Sequence, residues 1–244
     1  MNTVRYYRWW EFGWRAAGIA IVTAAYGTLF LVRRLLGASP ELSYRIFPQW
    51  ARAVLRCAGI KLCVHGADRL DPAGHYVFVA NHCSLFDIPV LLVASPIPIR
   101  ILYKRELERV PFLGWALHRS TFIAVERERA HTAGKTVTHT VESLNVDRAA
   151  LLIFPEGTRS RTGEIGPFRR GAFMIAFASR RQLVPVAIVG TSSILPPGTL
   201  RFHGGDVTVE FLDPIAPPEV TTRQEQLQWI DAFRQHIAAT LKRR

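Results

Sequence analysis

Two short runs, Tyr76–Ala80 and Ala150–Phe154, hold only apolar residues, and each opens directly onto polar ones. Asn81-His82 follows the first, and Pro155-Glu156-Gly157-Thr158-Arg159-Ser160 follows the second. A strand that is apolar at every position must be covered on both faces, as in the middle of a sheet with helices on either side. Around these two runs the pattern alternates. Lys61–His65, Ile99–Tyr103, Thr121–Val125, Val184–Val189 and Val207–Phe211 read as further strands. Leu85–Ala94, Ala130–Leu144, Arg169–Ser179 and Arg223–Lys242 read as helices, the last with an apolar stripe of Leu227, Ile230, Phe233, Ile237 and Leu241. The expected fold class is therefore α/β, a mixed and largely buried sheet flanked by helices.

Residues 1–60 have a different character. Tyr6, Tyr7, Trp9, Trp10, Phe12 and Trp14 are interleaved with Arg5 and Arg8, the composition of a bilayer interface. Ala16–Val32 is uncharged and bounded by Arg15 and Arg33-Arg34. As a helix it would reach about 26 Å, the lower edge of what crosses a hydrocarbon layer of about 30 Å. Leu42–Leu62 then mixes Arg45, Arg52, Arg56 and Lys61 with Ile46, Phe47, Trp50, Val54 and Leu55, and reads as an amphipathic helix lying on a membrane. The expected division is a membrane-anchoring helical hairpin over 1–60 and a catalytic domain over 61–244. Arginines at both ends leave the hairpin unoriented by the positive-inside rule.

The net charge of +12 calls for an anionic partner. An acidic lipid surface and phosphorylated substrates fit better than nucleic acid, because no zinc-knuckle or RNP-like pattern is present. Cys57, Cys63 and Cys83 are odd in number and lack C-x-x-C spacing, which excludes a disulfide framework or a structural zinc site and leaves no expected metal.

His82 stands at the carboxyl end of a buried strand, where open α/β sheets bind ligands. Asp87 comes five residues later, and in a regular helix that spacing turns about 140°, pointing the two side chains apart. They meet only if His82 lies in the turn before a helix and Asp87 within its first turns, with Ser84 as the expected N-cap. So arranged, the aspartate holds one ring nitrogen while the other takes a proton. The spacing alone also recurs by chance. Cys83 as a nucleophile is disfavoured, since adjacent residues on an extended chain point in opposite directions. In the second loop, Gly157 permits a tight turn and Arg159 offers a forked donor suited to phosphate, with Arg161, Arg169 and Arg170 nearby. On composition alone a solvated basic loop with a turn glycine is the better reading. Lys104 and Arg105 follow a strand and read either as a second anion contact or as a surface cluster.

Taken in order, His82 with Asp87, Lys104-Arg105-Glu106-Leu107, Phe154-Pro155-Glu156-Gly157-Thr158-Arg159-Ser160 and Val184-Pro185-Val186 resemble the four blocks of the glycerolipid acyltransferases, specifically the 1-acylglycerol-3-phosphate acyltransferases, over about residues 60–215. The resemblance implies transfer of an acyl chain from acyl-CoA or acyl-carrier protein, as co-substrate and with no cofactor, to the sn-2 hydroxyl of lysophosphatidate. His82 and Asp87 would be the catalytic pair. Arg159 would hold the acceptor phosphate with Glu156, Gly157 and Thr158 shaping the loop, assisted by Lys104 and Arg105. Another acceptor, such as lyso-ornithine lipid, would use the same mechanism. A His–Asp hydrolase or thioesterase lacks support, because no G-x-S-x-G elbow is present. The stretch Arg119–Arg127 departs from the family pattern, which leaves the substrate's details open. The expected location is a bacterial inner membrane with the catalytic domain on its cytoplasmic side.

Overall fold

The computed structural model of the chain describes residues 3–125, 149–219 and 222–243. The expected helix Ala130–Leu144 lies outside them. The first elements are β1 (Val4–Arg5), α1 (Trp9–Leu35), α2 (Pro40–Tyr44), α3 (Ile46–Ala58) and β2 (Ile60–His65). Then come β3 (Tyr76–Ala80), α4 (Asp87–Ala94), β4 (Ile99–Lys104), a 3-10 turn over Arg105–Arg109, α5 (Leu113–His118) and β5 (Ile123–Val125). The last are β6 (Ala150–Ile153), α6 (Arg170–Ser179), β7 (Gln182–Val189), a single turn α7 (Thr191–Ile194), β8 (Gly204–Phe211) and α8 (Arg223–Arg243).

The strands form one mixed sheet in the order β1-β8-β7-β3-β6-β4-β5, with β2 also on β8. β7, β3, β6, β4 and β5 run parallel to one another, and β8 is antiparallel to β7. Side chains on a strand alternate between faces, so β3 feeds two cores at once. Tyr76, Phe78 and Ala80 join the layer containing Phe47, Val54, Val90 and Leu91 of α3 and α4. Val77 and Val79 join the layer with Phe173 of α6 and Ile230, Phe233 and Ile237 of α8. Both runs that open the sequence argument are thus central strands, as expected. Parallel pairing also brings the carboxyl ends of β3, β4, β6 and β7 to one edge of the sheet.

The amino-terminal region departs from expectation in two ways. The run Leu42–Leu62 is not one helix: α3 ends at Ala58, Gly59 adopts the left-handed conformation (φ 68°) as its C-cap, and Lys61 and Leu62 belong to β2. A glycine in that conformation closes a helix at little steric cost, so it overrides the apolar spacing that continues past it. The helix containing Ala16–Val32 is longer than its uncharged centre, because the flanking aromatic and basic residues are helical too. At 27 residues α1 is long and apolar enough to cross a membrane by length and composition. It is nevertheless docked along the protein. Arg15 donates to the Cys57 carbonyl at 2.7 Å, Trp50 Nε1 donates to Thr23 Oγ1 at 3.1 Å, and the Phe30 and Phe47 rings lie 5.1 Å apart.

Candidate active site

The loops that leave β3, β6 and β7 at the carboxyl edge meet at one site. His82 is the second residue past β3 and Asp87 is the first of α4, so the intervening turn folds the aspartate back under the histidine. His82 Nδ1 and Asp87 Oδ2 are 2.7 Å apart, the meeting that the sequence required. The aspartate is wholly buried, whereas the histidine side chain keeps 15% of its surface exposed. Ser84 is not the N-cap. The cap position is Phe86, and Ser84 Oγ instead donates to the Leu195 carbonyl at 3.0 Å. The Asp87 carboxylate itself takes the free amides of the turn, from Cys83 at 2.7 Å and Ser84 at 2.9 Å.

An ionised carboxylate only accepts, and here its Oδ2 faces the ring nitrogen, so Nδ1 of neutral His82 carries the proton. Nε2 then keeps its lone pair, free to accept a proton. Four groups the sequence did not single out for this role fix the imidazole. Phe154 stacks on it with centroids 4.1 Å apart and planes 19° from parallel. Glu156, expected only to shape its loop, is buried (7% exposed) and accepts the His82 backbone N–H at 2.8 Å on Oε1 and the Gly166 N–H at 3.1 Å on Oε2. Ser160 N–H donates to the His82 carbonyl at 2.8 Å. Thr191 Oγ1 donates to Asp87 Oδ1 at 2.6 Å. Burial holds the Glu156 carboxyl above its usual range, opposed by the two amides it accepts. No sequence signal marks Thr191, which lies more than a hundred residues from its partner.

Cys83 is buried, and that burial, with the Asp87 charge beside it, pushes its thiol up to about 12. It therefore stays protonated at neutral pH and cannot act as a thiolate nucleophile. Among the described residues no group of three His, Cys, Asp or Glu side chains is placed to hold a metal.

Arg159 lines two adjoining clefts. One, of about 540 Å³, is walled by Thr158, Arg159, Arg161, Pro197 and Gly198. The other, of about 650 Å³, runs from Glu156 past Arg159 and Arg161 to Arg169. Glu156 thus belongs both to the wall of the arginine cleft and to the hydrogen bonds that hold the base. Gly157 turns the loop with φ 74°, and a Cβ there would meet the Arg169 side chain at 3.1 Å. Among the described residues, no carboxylate forms an ion pair with Arg159, Arg161 or Arg169. Lys104 and Arg105 are exposed where β4 gives way to the 3-10 turn, Lys104 pairing with Glu106 at 3.1 Å, and neither lines either cleft.

A histidine with a buried carboxylate behind it, at the carboxyl edge of a mixed sheet and beside an arginine cleft, is an arrangement suited to acid–base group transfer. Residues 61–189 match the protein family described as Acyltransferase, and the chain belongs to that family. It is 34% identical over 169 residues to the 1-acyl-sn-glycerol-3-phosphate acyltransferase of Saccharomyces cerevisiae, covering 68% of this chain and 55% of that one. It is 29% identical to the human 1-acyl-sn-glycerol-3-phosphate acyltransferase alpha, covering 67% of this chain and 58% of that one. The chain therefore spans little more than half the length of these relatives. The crystal structure of the 1-acyl-sn-glycerophosphate (LPA) acyltransferase PlsC from Thermotoga maritima superposes with a TM-score of 0.78, over 96% of this chain and 92% of that one, at 23% identity. It shares the fold.

Proposed function

We propose that this protein transfers an acyl chain from an acyl thioester to the free sn-2 hydroxyl of lysophosphatidate, forming phosphatidate. The observation that carries the reading is the 2.7 Å His82–Asp87 pair set against an arginine-lined cleft through Glu156. The names of the relatives in yeast and human support the acceptor. His82 Nε2 takes the hydroxyl proton as the oxygen bonds to the thioester carbonyl carbon. The tetrahedral intermediate collapses by breaking the carbon–sulfur bond, and the proton on Nε2 passes to the departing sulfur. Asp87 holds the imidazolium in place throughout. A positioned base of this kind contributes roughly 10²–10⁴-fold, and the remainder must come from holding the two substrates together. Arg159 faces the acceptor phosphate, in a forked geometry suited to it.

The enzyme works at a membrane, which we take to be a bacterial inner membrane with the site on its cytoplasmic side. Contacts from Arg15 to Phe30 bind α1 to α3 along its length, which supports a helix lying in the interface rather than crossing it. An acceptor screen tests the function. Purified enzyme receives palmitoyl-CoA or palmitoyl-carrier protein with lysophosphatidate, glycerol 3-phosphate or lyso-ornithine lipid, and products are read by mass. Phosphatidate as the dominant product is expected. Preferred acylation of lyso-ornithine lipid, or release of free fatty acid alone, would overturn the assignment.

A further inference from the structure

The connection from the end of β7 to Leu195 is sewn to the Asn81–Asp87 turn at three places. Asn81 bonds both backbone groups of Ile188, its Nδ2 donating to the carbonyl at 2.9 Å and its Oδ1 accepting the N–H at 2.8 Å. Ser84 Oγ donates to the Leu195 carbonyl. Between them, Gly190 turns in the left-handed region (φ 98°) and delivers Thr191, 1% exposed, onto Asp87 Oδ1 at 2.6 Å. Three donors, His82 Nδ1 and the amides of Cys83 and Ser84, converge on Oδ2 of the same carboxylate. Oδ1 has Thr191 as its one hydrogen-bond partner among the described residues, so this hydroxyl adds the second anchor that fixes the carboxylate against rotation about its Cβ–Cγ bond. A buried oxygen left without a donor carries a full desolvation penalty.

We propose that Thr191 is a positioning residue for catalysis, its hydroxyl locking the Asp87 carboxylate in the plane that presents Oδ2 to His82. Asn81 and Ser84 hold the β7–Leu195 connection so that the hydroxyl arrives in register. The device acts through Asp87 and touches no substrate, so it governs turnover and not affinity. It rests on the acyl-transfer reading only for the activity assay.

Thr191→Val keeps shape and removes the donor; Thr191→Ser keeps the donor and removes the methyl. Turnover with lysophosphatidate is expected to fall roughly 10- to 100-fold in Thr191→Val with KM for both substrates within about twofold. It should return to near wild type in Thr191→Ser. The His82 ring, titrated by NMR in detergent without any substrate, should show a lowered midpoint in Thr191→Val and not in Thr191→Ser, because a carboxylate free to rotate away holds the imidazolium less well. This second readout stands whatever the acceptor proves to be. Equal loss in Thr191→Ser, a change in KM only, an unmoved His82 titration, or a Thr191→Val chain that fails to fold would each overturn the proposal.

Discussion

Glu156 accepts the backbone N–H of His82 at 2.8 Å, so the loop that carries the cleft arginine also grips the main chain of the base. A shift of the arginine loop is therefore felt at the histidine. Glu156→Gln tests the link. One carboxylate serves two amide donors, whereas a carboxamide has one accepting oxygen and leaves the Gly166 or His82 N–H facing its NH₂ group. Turnover should fall at least tenfold, with a loss of about 1–3 kcal/mol in unfolding free energy from the orphaned donor. Assay and thermal melting together check it.

His82→Ala should abolish all but a residue of transfer, a loss of roughly 10²–10⁴-fold. Co-flotation with vesicles should be unchanged, because among the described residues the imidazole's hydrogen-bond and stacking partners are Asp87 and Phe154, neither of them in α1. Asp87→Asn should lose nearly as much, and the double variant little more than either alone, since the two side chains act as a unit. Single-turnover rates of the three variants give the answer.

Arg159→Ala should raise KM for lysophosphatidate about 10- to 100-fold, from loss of charge-assisted hydrogen bonds worth about 1.5–3 kcal/mol. KM for the thioester should hold. A selective rise in the donor's KM would reassign the cleft.

Cys83→Ala should retain most activity, because Asp87 uses that residue's backbone amide and not its sulfur. With the thiol pushed up to about 12, the folded enzyme should resist iodoacetamide at Cys83 between about pH 7 and 9, while exposed Cys63 reacts. Mass mapping of alkylated peptides reads both sites.

Trp9, Trp10 and Trp14 are half or more exposed along the start of α1. Replacing all three by serine should weaken binding to anionic vesicles at least tenfold, with activity on detergent-dispersed acceptor largely kept. Raising salt should weaken wild-type binding as well, through the nearby arginines.

The features legible in the sequence were those written in local pattern. The runs at 76–80 and 150–154 could only be buried strands, and polar residues behind them marked the edge where the site lies. The His82–Asp87 turn followed because no other geometry lets residues five apart meet. What escaped was either a single-residue decision or a contact across distance. Gly59 ended α3 against a continuing apolar pattern, and Phe86, not Ser84, took the cap position of α4. The roles of Phe154, Glu156 and Thr191 depend on which loops the parallel sheet brings side by side, and residue spacing along the chain does not carry that information.

The Phe154 ring lying flat on His82 has a consequence for the cycle as a whole. Stacked on Phe154 with centroids 4.1 Å apart and tied at Nδ1, the imidazole is held against flipping between proton pick-up and delivery. In the proposed reaction the same nitrogen does both, first toward the hydroxyl and then toward the sulfur. On that reading the imidazole leaves each turnover in the state in which it entered, with no reset step between one lipid and the next.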